Sequence, residues 1–364
     1  MPMVLDQTRL ARAKRAFTTR RVPDAELQLL LGSEDMGGRR FRAGDVALAR
    51  VERIGHHARI ERCDGRRARL FEGDEIILAI GPRYAPDQYE AFTPEALGPC
   101  QLAAAGGVAG RIAQIHERIL HPTEISLLGL IGSRAHRPIN LRDHALESAG
   151  GPASIPAIAV VGTAMNSGKT TVAAGLIRGL AKAGRRVGAA KITGTGAGGD
   201  HWHFRDAGAA HVVDFVDAGF VATYLEPVEA LEAAAATLLR DIEAQGCDVA
   251  VLEISDGLAQ RETAALLQRD ALRALSPRVV FAAREASGAV HGVRWLRARG
   301  FDVACVSGVI TNSPLAVREF EGEEGAVRCL THAQLCEPVF AEATFAPPAA
   351  AAEAQTAARL EVAV

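Results

Sequence analysis

The hydrophobic pattern divides the chain into two regimes. From Arg42 to Ile80, short runs alternate apolar with polar residues, as in Asp45-Val-Ala-Leu-Ala-Arg-Val51 and Ala58-Arg-Ile-Glu-Arg62. Gly44, Gly55, Asp64-Gly65 and Gly73-Asp74 punctuate them. Period-two runs broken by Asp-Gly turns predict an antiparallel β-barrel or small sandwich. From Ile158 onward the runs are apolar and β-branched: Ile158–Val161, Arg185–Thr193, Cys247–Ile254, Arg278–Arg284 and Asp302–Ile310. Helical stretches separate them, among them Glu226–Gln245 and Val290–Arg299. That alternation predicts βαβ units and a parallel sheet flanked by helices.

These regimes give four expected parts. Residues 1–22 form a basic leader, solvated and partly helical, and 23–150 a smaller β-rich, barrel-like domain. Residues 151–345 form the α/β domain, and 346–364 an Ala/Pro-rich tail, disordered or loosely helical. The Gly-, Pro- and Ser-bearing stretch 145–156 is the linker. Ala103–Gly110 is glycine-rich, but no clear strand precedes it.

The first apolar strand of the second regime carries the chemistry. It enters Gly162-Thr-Ala-Met-Asn-Ser-Gly168 and leaves through Lys169-Thr170-Thr171 into an alanine- and leucine-rich helix. This is the order a phosphate-binding loop (P-loop) requires. Backbone N–H groups and a helix N-terminus cradle phosphates, a lysine reaches the β- and γ-phosphates, and a hydroxyl ligates magnesium. Gly162, Thr163, Asn166, Ser167, Gly168, Lys169, Thr170 and Thr171 are therefore the expected nucleotide contacts, with ATP and Mg2+ as cofactors. The fold class is α/β, a P-loop NTPase domain. The lysines of the chain are only Lys14, Lys169, Lys182 and Lys191. Lys191 and Thr193 end the second strand, and Glu253 ends the third, followed by Asp256-Gly257. In an open parallel sheet that edge holds the ligand, and a strand-ending carboxylate there binds magnesium or its water.

Other candidates lie outside that edge. Gly81-Pro-Arg-Tyr-Ala-Pro-Asp-Gln-Tyr-Glu90 holds two of the three tyrosines. With Arg83, Tyr84, Asp87 and Gln88 it reads either as a substrate-recognition loop or as a proline-pinned linker. Gly194–Asp200 is a flexible glycine-rich loop. His201 and His203, read as a pair on one strand face, could ligate a metal with a third ligand from elsewhere, although core or substrate-contact histidines are the commoner outcome.

Composition removes other classes. The net charge is −2, so no bulk field recruits nucleic acid or an anionic membrane. No span approaches the ~20 apolar residues of a membrane helix. Six scattered cysteines form no Cys-x-x-Cys pair and read as reduced thiols of a cytoplasmic protein.

From Ile158 to about Pro314 the chain resembles dethiobiotin synthetase and its relatives, among them the synthetase halves of cobyrinic acid amidotransferases and the molybdopterin-guanine dinucleotide adaptor. The lengthened loop Gly162–Thr170 is similar to theirs, as is Val187-Gly-Ala-Ala-Lys-Ile-Thr193. Val251-Leu-Glu-Ile-Ser-Asp-Gly257 occupies the place of the family's Glu-Gly-Ala-Gly-Gly turn, and Ser307-Gly-Val-Ile-Thr-Asn312 that of its adenine-reading segment. The resemblance implies that Lys169, Lys191 and Glu253 are catalytic and that Thr170, Glu253 and Asp200 hold the metal. It also implies that Asn312 recognises adenine and that the protein is a homodimer. The expected function is an ATP- and Mg-dependent small-molecule ligase or kinase. It would phosphorylate a carboxylate or carbamate of a metabolite for attack by an amine or other nucleophile.

Two departures stand out. Ile-Ser-Asp-Gly follows Glu253 where the family is glycine-rich, and the β-rich N-terminal domain has no counterpart in dethiobiotin synthetase. Biotin synthesis and glutamine-dependent ammonia transfer are therefore not expected. A likeness to D-glutamate N-acetyltransferase-type P-loop proteins covers the loop, the Thr-Gly-Thr-Gly stretch from Thr193 and the Leu-Glu-Ile-Ser-Asp-Gly turn, and makes an acyltransferase one alternative. A nucleotide-switched adaptor for a partner enzyme or cofactor is the other.

Overall fold

The computed structural model describes residues 3–5, 7–32, 34–36, 38–133, 135–147 and 153–346. The centre of the expected linker and nearly all of the expected tail lie outside the described residues. The chain forms two compact units. The first comprises Met1–Glu147 with two later segments, Gly194–Gly199 and Phe215–Leu225, and the second comprises the rest.

In the first unit five strands close into a barrel. Val46–Arg53 pairs antiparallel with Glu75–Ile80 on one side and Thr123–Gly132 on the other. Gly98–Ala104 pairs antiparallel with Thr123–Gly132 and Val108–Ile115, and Val108–Ala109 closes the ring parallel to Ala79–Ile80. Alternation puts Ala47, Ala49, Val51, Ile76, Leu78, Ile80, Leu102 and Ile125 into one buried cluster, as period-two strands with one inward face must. Two parts of the sequence behave differently from expectation. Ala103–Gly110 spans the end of one strand and the start of the next, and Gly106 and Gly107 make the turn between Gly98–Ala104 and Val108–Ile115. The basic leader is not simply solvated. Its helix Gln7–Arg12 leads into Lys14–Arg15, which pairs with Ile76–Ile77, and Phe17 is fully buried. Three of its cations form ion pairs, Arg9 with Glu75, Lys14 with Asp74 and Arg15 with Asp24.

The second unit is an α/β layer with a six-stranded sheet. The order is His211–Asp214, Val187–Lys191, Val249–Glu253, Ala157–Gly162, Arg278–Ala282, Asp302–Ser307, and every neighbouring pair is parallel. The strands are buried along almost their whole length, as a sheet covered on both faces demands. The P-loop strand lies at the centre. The helix after the loop, Lys169–Lys182, buries Leu176, Ile177 and Leu180 against that sheet, in a cluster that also takes in Leu335 and Ala341 from two later helices, His332–Leu335 and Pro338–Phe345. No described helix is long and apolar enough to cross a membrane.

Candidate functional site

Parallel pairing builds the site before any polar contact is considered. All six strands send their carboxyl ends to one edge, and Glu253 is paired in register with Lys191 on one side and Val160 on the other. The P-loop leaves that same edge. Its turn uses two left-handed residues, Asn166 at φ 59° and Gly168 at φ 93°, and the helix starts at Lys169 with no side-chain cap on its first N–H groups. Uncapped N–H groups beside a left-handed turn form an anion cradle. Two neighbouring segments press on the loop. Val309 N–H donates to the Ser167 carbonyl at 3.1 Å, and a Cβ on Gly308 (φ 90°) would lie 2.3 Å from that oxygen. A Cβ on Gly257 would lie 2.5 Å from the Thr163 carbonyl oxygen. The loop is therefore held in shape from both sides.

A cleft of about 450 Å³ opens above it, lined by Met165, Asn166, Gly168, Lys169, Thr170, Thr171, Lys191, Asp200, Glu253, Ser255 and Asp256. Lys169 Nζ donates to the carbonyls of Ala164 at 2.9 Å and Asp256 at 2.5 Å. Lys191 pairs with Asp200, and its ammonium also stands 3.8 Å from Glu253. Thr170 Oγ1 lies 3.3 Å from Glu253 Oε1, which also accepts from Ser255 Oγ at 2.9 Å. Thr193 is buried and donates to the Ser255 carbonyl, tying the second strand's end to the turn after Glu253.

Burial shapes the charges here. It pulls the Lys169 ammonium below the ordinary lysine range, against Glu253 and Asp256. Burial works against Lys191 too, but Asp200 and Glu253 outweigh it and hold that ammonium above the range. The same pairing outweighs burial at Asp200 and keeps its carboxyl low. Glu253 is held high by burial, with Asp200 adding to the effect and Lys191 opposing it. Glu253 Oε2, on the lining of the cleft, is buried without a hydrogen-bond partner among the described residues. A polar atom orphaned on the wall of a cleft is one that a ligand can satisfy. Two carboxylates and a threonine hydroxyl fit Mg2+, which binds through one or two carboxylates together with phosphate oxygens. No group of three His, Cys, Asp or Glu that could hold a metal occurs among the described residues, and a phosphate-borne magnesium does not require one.

The other candidates fall elsewhere. Asp200 and the two histidines belong to a helix, Gly199–Ala207, not to a flexible loop or a strand. Spaced two apart on a helix, His201 and His203 point to different faces, and His203 is exposed, so the paired-ligand geometry does not form. Asn312 is exposed in the short turn Val309–Asn312, three residues beyond the segment that touches Ser167, and it does not line the cleft. Arg83, Tyr84, Asp87 and Gln88 belong to the first unit. Arg83 is buried, donates to the Ala103 carbonyl and to Gln88 Oε1 at 2.8 Å, and meets His57 Nε2 at 3.1 Å. Tyr84 packs on Tyr224, with ring centres 5.5 Å apart. Sequence reasoning missed Ser255, the Ala164 carbonyl and the Gly308–Val309 brace. Only the Ser-Asp-Gly after Glu253 offered a signal.

No family model matches the chain, and no curated protein does. Solved structures similar to it include chloroplast FtsY from Physcomitrella patens, at 16% identity over 56% of this chain and 68% of that one, TM-score 0.38. Another is signal recognition particle 54 kDa protein from Aeropyrum pernix K1 in complex with GDP, at 18% identity over 52% and 44%, TM-score 0.35. A third is the kinase domain of the Escherichia coli tyrosine kinase ETK, at 15% identity over 42% and 66%, TM-score 0.33. The strand, loop and helix of the chain itself carry the fold assignment: the second unit is a P-loop nucleotide-binding fold.

Proposed function

We propose that the protein is a Mg-ATP-dependent enzyme that phosphorylates a carboxylate or carbamate of a small metabolite, as the dethiobiotin synthetase group does, for attack by an amine or other nucleophile. The observation that carries this reading is the convergence of Lys169, Thr170, Lys191, Asp200 and Glu253 on one cleft above an uncapped helix start. Phosphoryl transfer needs little from a protein beyond positioning and charge neutralisation, and this cluster offers both. Lys169 would exchange the Ala164 and Asp256 carbonyls for the β- and γ-phosphates. Thr170, Glu253 and Asp200 would hold Mg2+, which when bound neutralises charge between the phosphates. Lys191, relieved of those carboxylates, would hold the acceptor carboxylate. ATP is favoured over GTP because the guanine-reading phrase Asn-Lys-x-Asp is not evident in the sequence.

The test is phosphate release from ATP and GTP with magnesium, for wild type and Lys169→Ala, with and without a pool of carboxylate and amine metabolites. Lysine-dependent ATP turnover that rises with the pool supports the enzyme, and fractionation then names the substrate. Tight nucleotide binding with turnover indifferent to every metabolite would replace it with a nucleotide-switched adaptor.

A further inference from the structure

We propose that the first unit carries a binding site for a small polyanion, a metabolite bearing two or more phosphate or carboxylate groups, made of none of the nucleotide cleft's residues. A cavity of about 470 Å³ beside the start of strand Val46–Arg53 is lined by Arg39, Arg42, Arg137 and Arg142, with Asn140 and Asp143. Its size falls within the roughly 300–1,000 Å³ of small-molecule pockets. The whole chain carries a net −2, so four guanidinium groups around one cavity are a local concentration, not a sample of a basic surface.

The nearby carboxylates are already committed. Asp45 is fully buried and accepts both Arg39 nitrogens at 2.9 Å, the Arg42 backbone N–H at 2.8 Å and Asn140 Nδ2 at 2.9 Å. Asp143 accepts the Asn140 N–H at 2.9 Å. These bonds fix one wall. Gly44 (φ 88°) lets that wall close, because a Cβ there would lie 2.9 Å from Asn140 Oδ1. Arg142 is laid over the Phe220 ring, 5.0 Å from its centre. The Arg42 and Arg137 guanidinium groups have neither an ion-pair nor a hydrogen-bond partner among the described residues, and both side chains are exposed. With Arg39 spent on Asp45, the guanidinium groups of Arg42 and Arg137 leave a surplus of positive charge in a concave site. Planar guanidinium forks match phosphate and carboxylate oxygens in pairs. A concave pocket suits a compact anion; nucleic acid tracks along a basic stripe.

The experiment titrates the full chain carrying Lys169→Ala, which disarms the P-loop, with inorganic pyrophosphate and with tricarballylate in separate calorimetric runs. At least one is expected to bind, more weakly as salt is raised. Adding Arg42→Gln and Arg137→Gln, both on exposed side chains, is expected to weaken it at least tenfold with an unchanged melting temperature. The stronger titrant separates phosphate from carboxylate chemistry. Binding of neither titrant, or binding undiminished in the double arginine variant, would overturn the proposal. So would an oligonucleotide that binds through these arginines when neither small anion does.

Discussion

Burial works against the charged form of both Lys169 and Glu253, which face the same cleft, and each yields a prediction. Lys169 Nζ is buried on two backbone carbonyls, a placement that keeps a cation ready for phosphate without a competing carboxylate bond. Removing one such preorganised charge costs on the order of 100-fold or more in turnover. Lys169→Ala should therefore lose at least that much in ATP-dependent phosphate release, and a rate within tenfold of wild type would show that this lysine does not meet the transferred phosphate. Burial raises the pKa of Glu253 above the unfolded value, so it contributes stability below the ordinary glutamate pKa, and that contribution is lost as pH rises through the raised folded pKa. A charge formed on this buried carboxylate is a net cost. Glu253→Gln, which still accepts from Ser255, should melt no lower than wild type near neutral pH. It should also lose the extra melting temperature that Mg-nucleotide confers on wild type. A variant several degrees less stable than wild type, or one still stabilised by magnesium, would contradict the assignment.

At the scale of elements, what the sequence showed depended on the range of the interaction. The P-loop, Lys191 and Glu253 were legible because strand periodicity and parallel pairing are local rules that deliver strand ends to one edge. Thr123–Gly132 was not legible: its alternation breaks at Leu127-Leu128, and its partners Val46–Arg53 and Gly98–Ala104 are set by long-range register. The helix carrying Asp200 was hidden by the glycines before it. The loop around Arg83 shows a further limit, since a high density of polar groups does not say whether the partners are internal. Here they include His57, and that has a consequence for acid stability. Burial, with Arg83 adding to it, lowers the His57 pKa from 6.5 to about 3. Between those values the unfolded chain binds a proton that the folded barrel does not, so stability falls as pH drops from about 6.5 toward 3, by up to about 1.4 kcal/mol per pH unit. His57→Gln should flatten that acid limb in melting curves taken across the window. An unchanged limb would mean that another group sets it.

At the scale of the molecule, sequence continuity and compactness disagree. Gly194–Gly199 and Phe215–Leu225 are spelled within the nucleotide-binding half but fold with the barrel unit. Thr193 and Asp200, the residues on either side of the first segment, belong to the nucleotide unit, so the chain between two site residues is anchored in the other unit's structure. The anchoring is substantial. Gly198 N–H donates to Glu61 Oε2 at 2.6 Å, Arg20 pairs with Asp217 at 2.6 Å, and Phe215, Val216, Phe220 and Val221 are all buried. Burying one such side chain contributes about 1.5–3 kcal/mol, so re-exposing the four removes roughly 6–12 kcal/mol, comparable with the about 5–15 kcal/mol that stabilises a whole domain. A fragment that begins at Ala153 should therefore fail as an independent nucleotide-binding domain, even though it contains every residue of the cleft. It should bind a hydrophobic dye and melt broadly, well below the full chain, and co-expression with residues 1–147 should restore a sharp transition and nucleotide binding. A fragment that melts as sharply and as high as the full chain, with its ATP affinity intact, would show that the two segments need no partner unit.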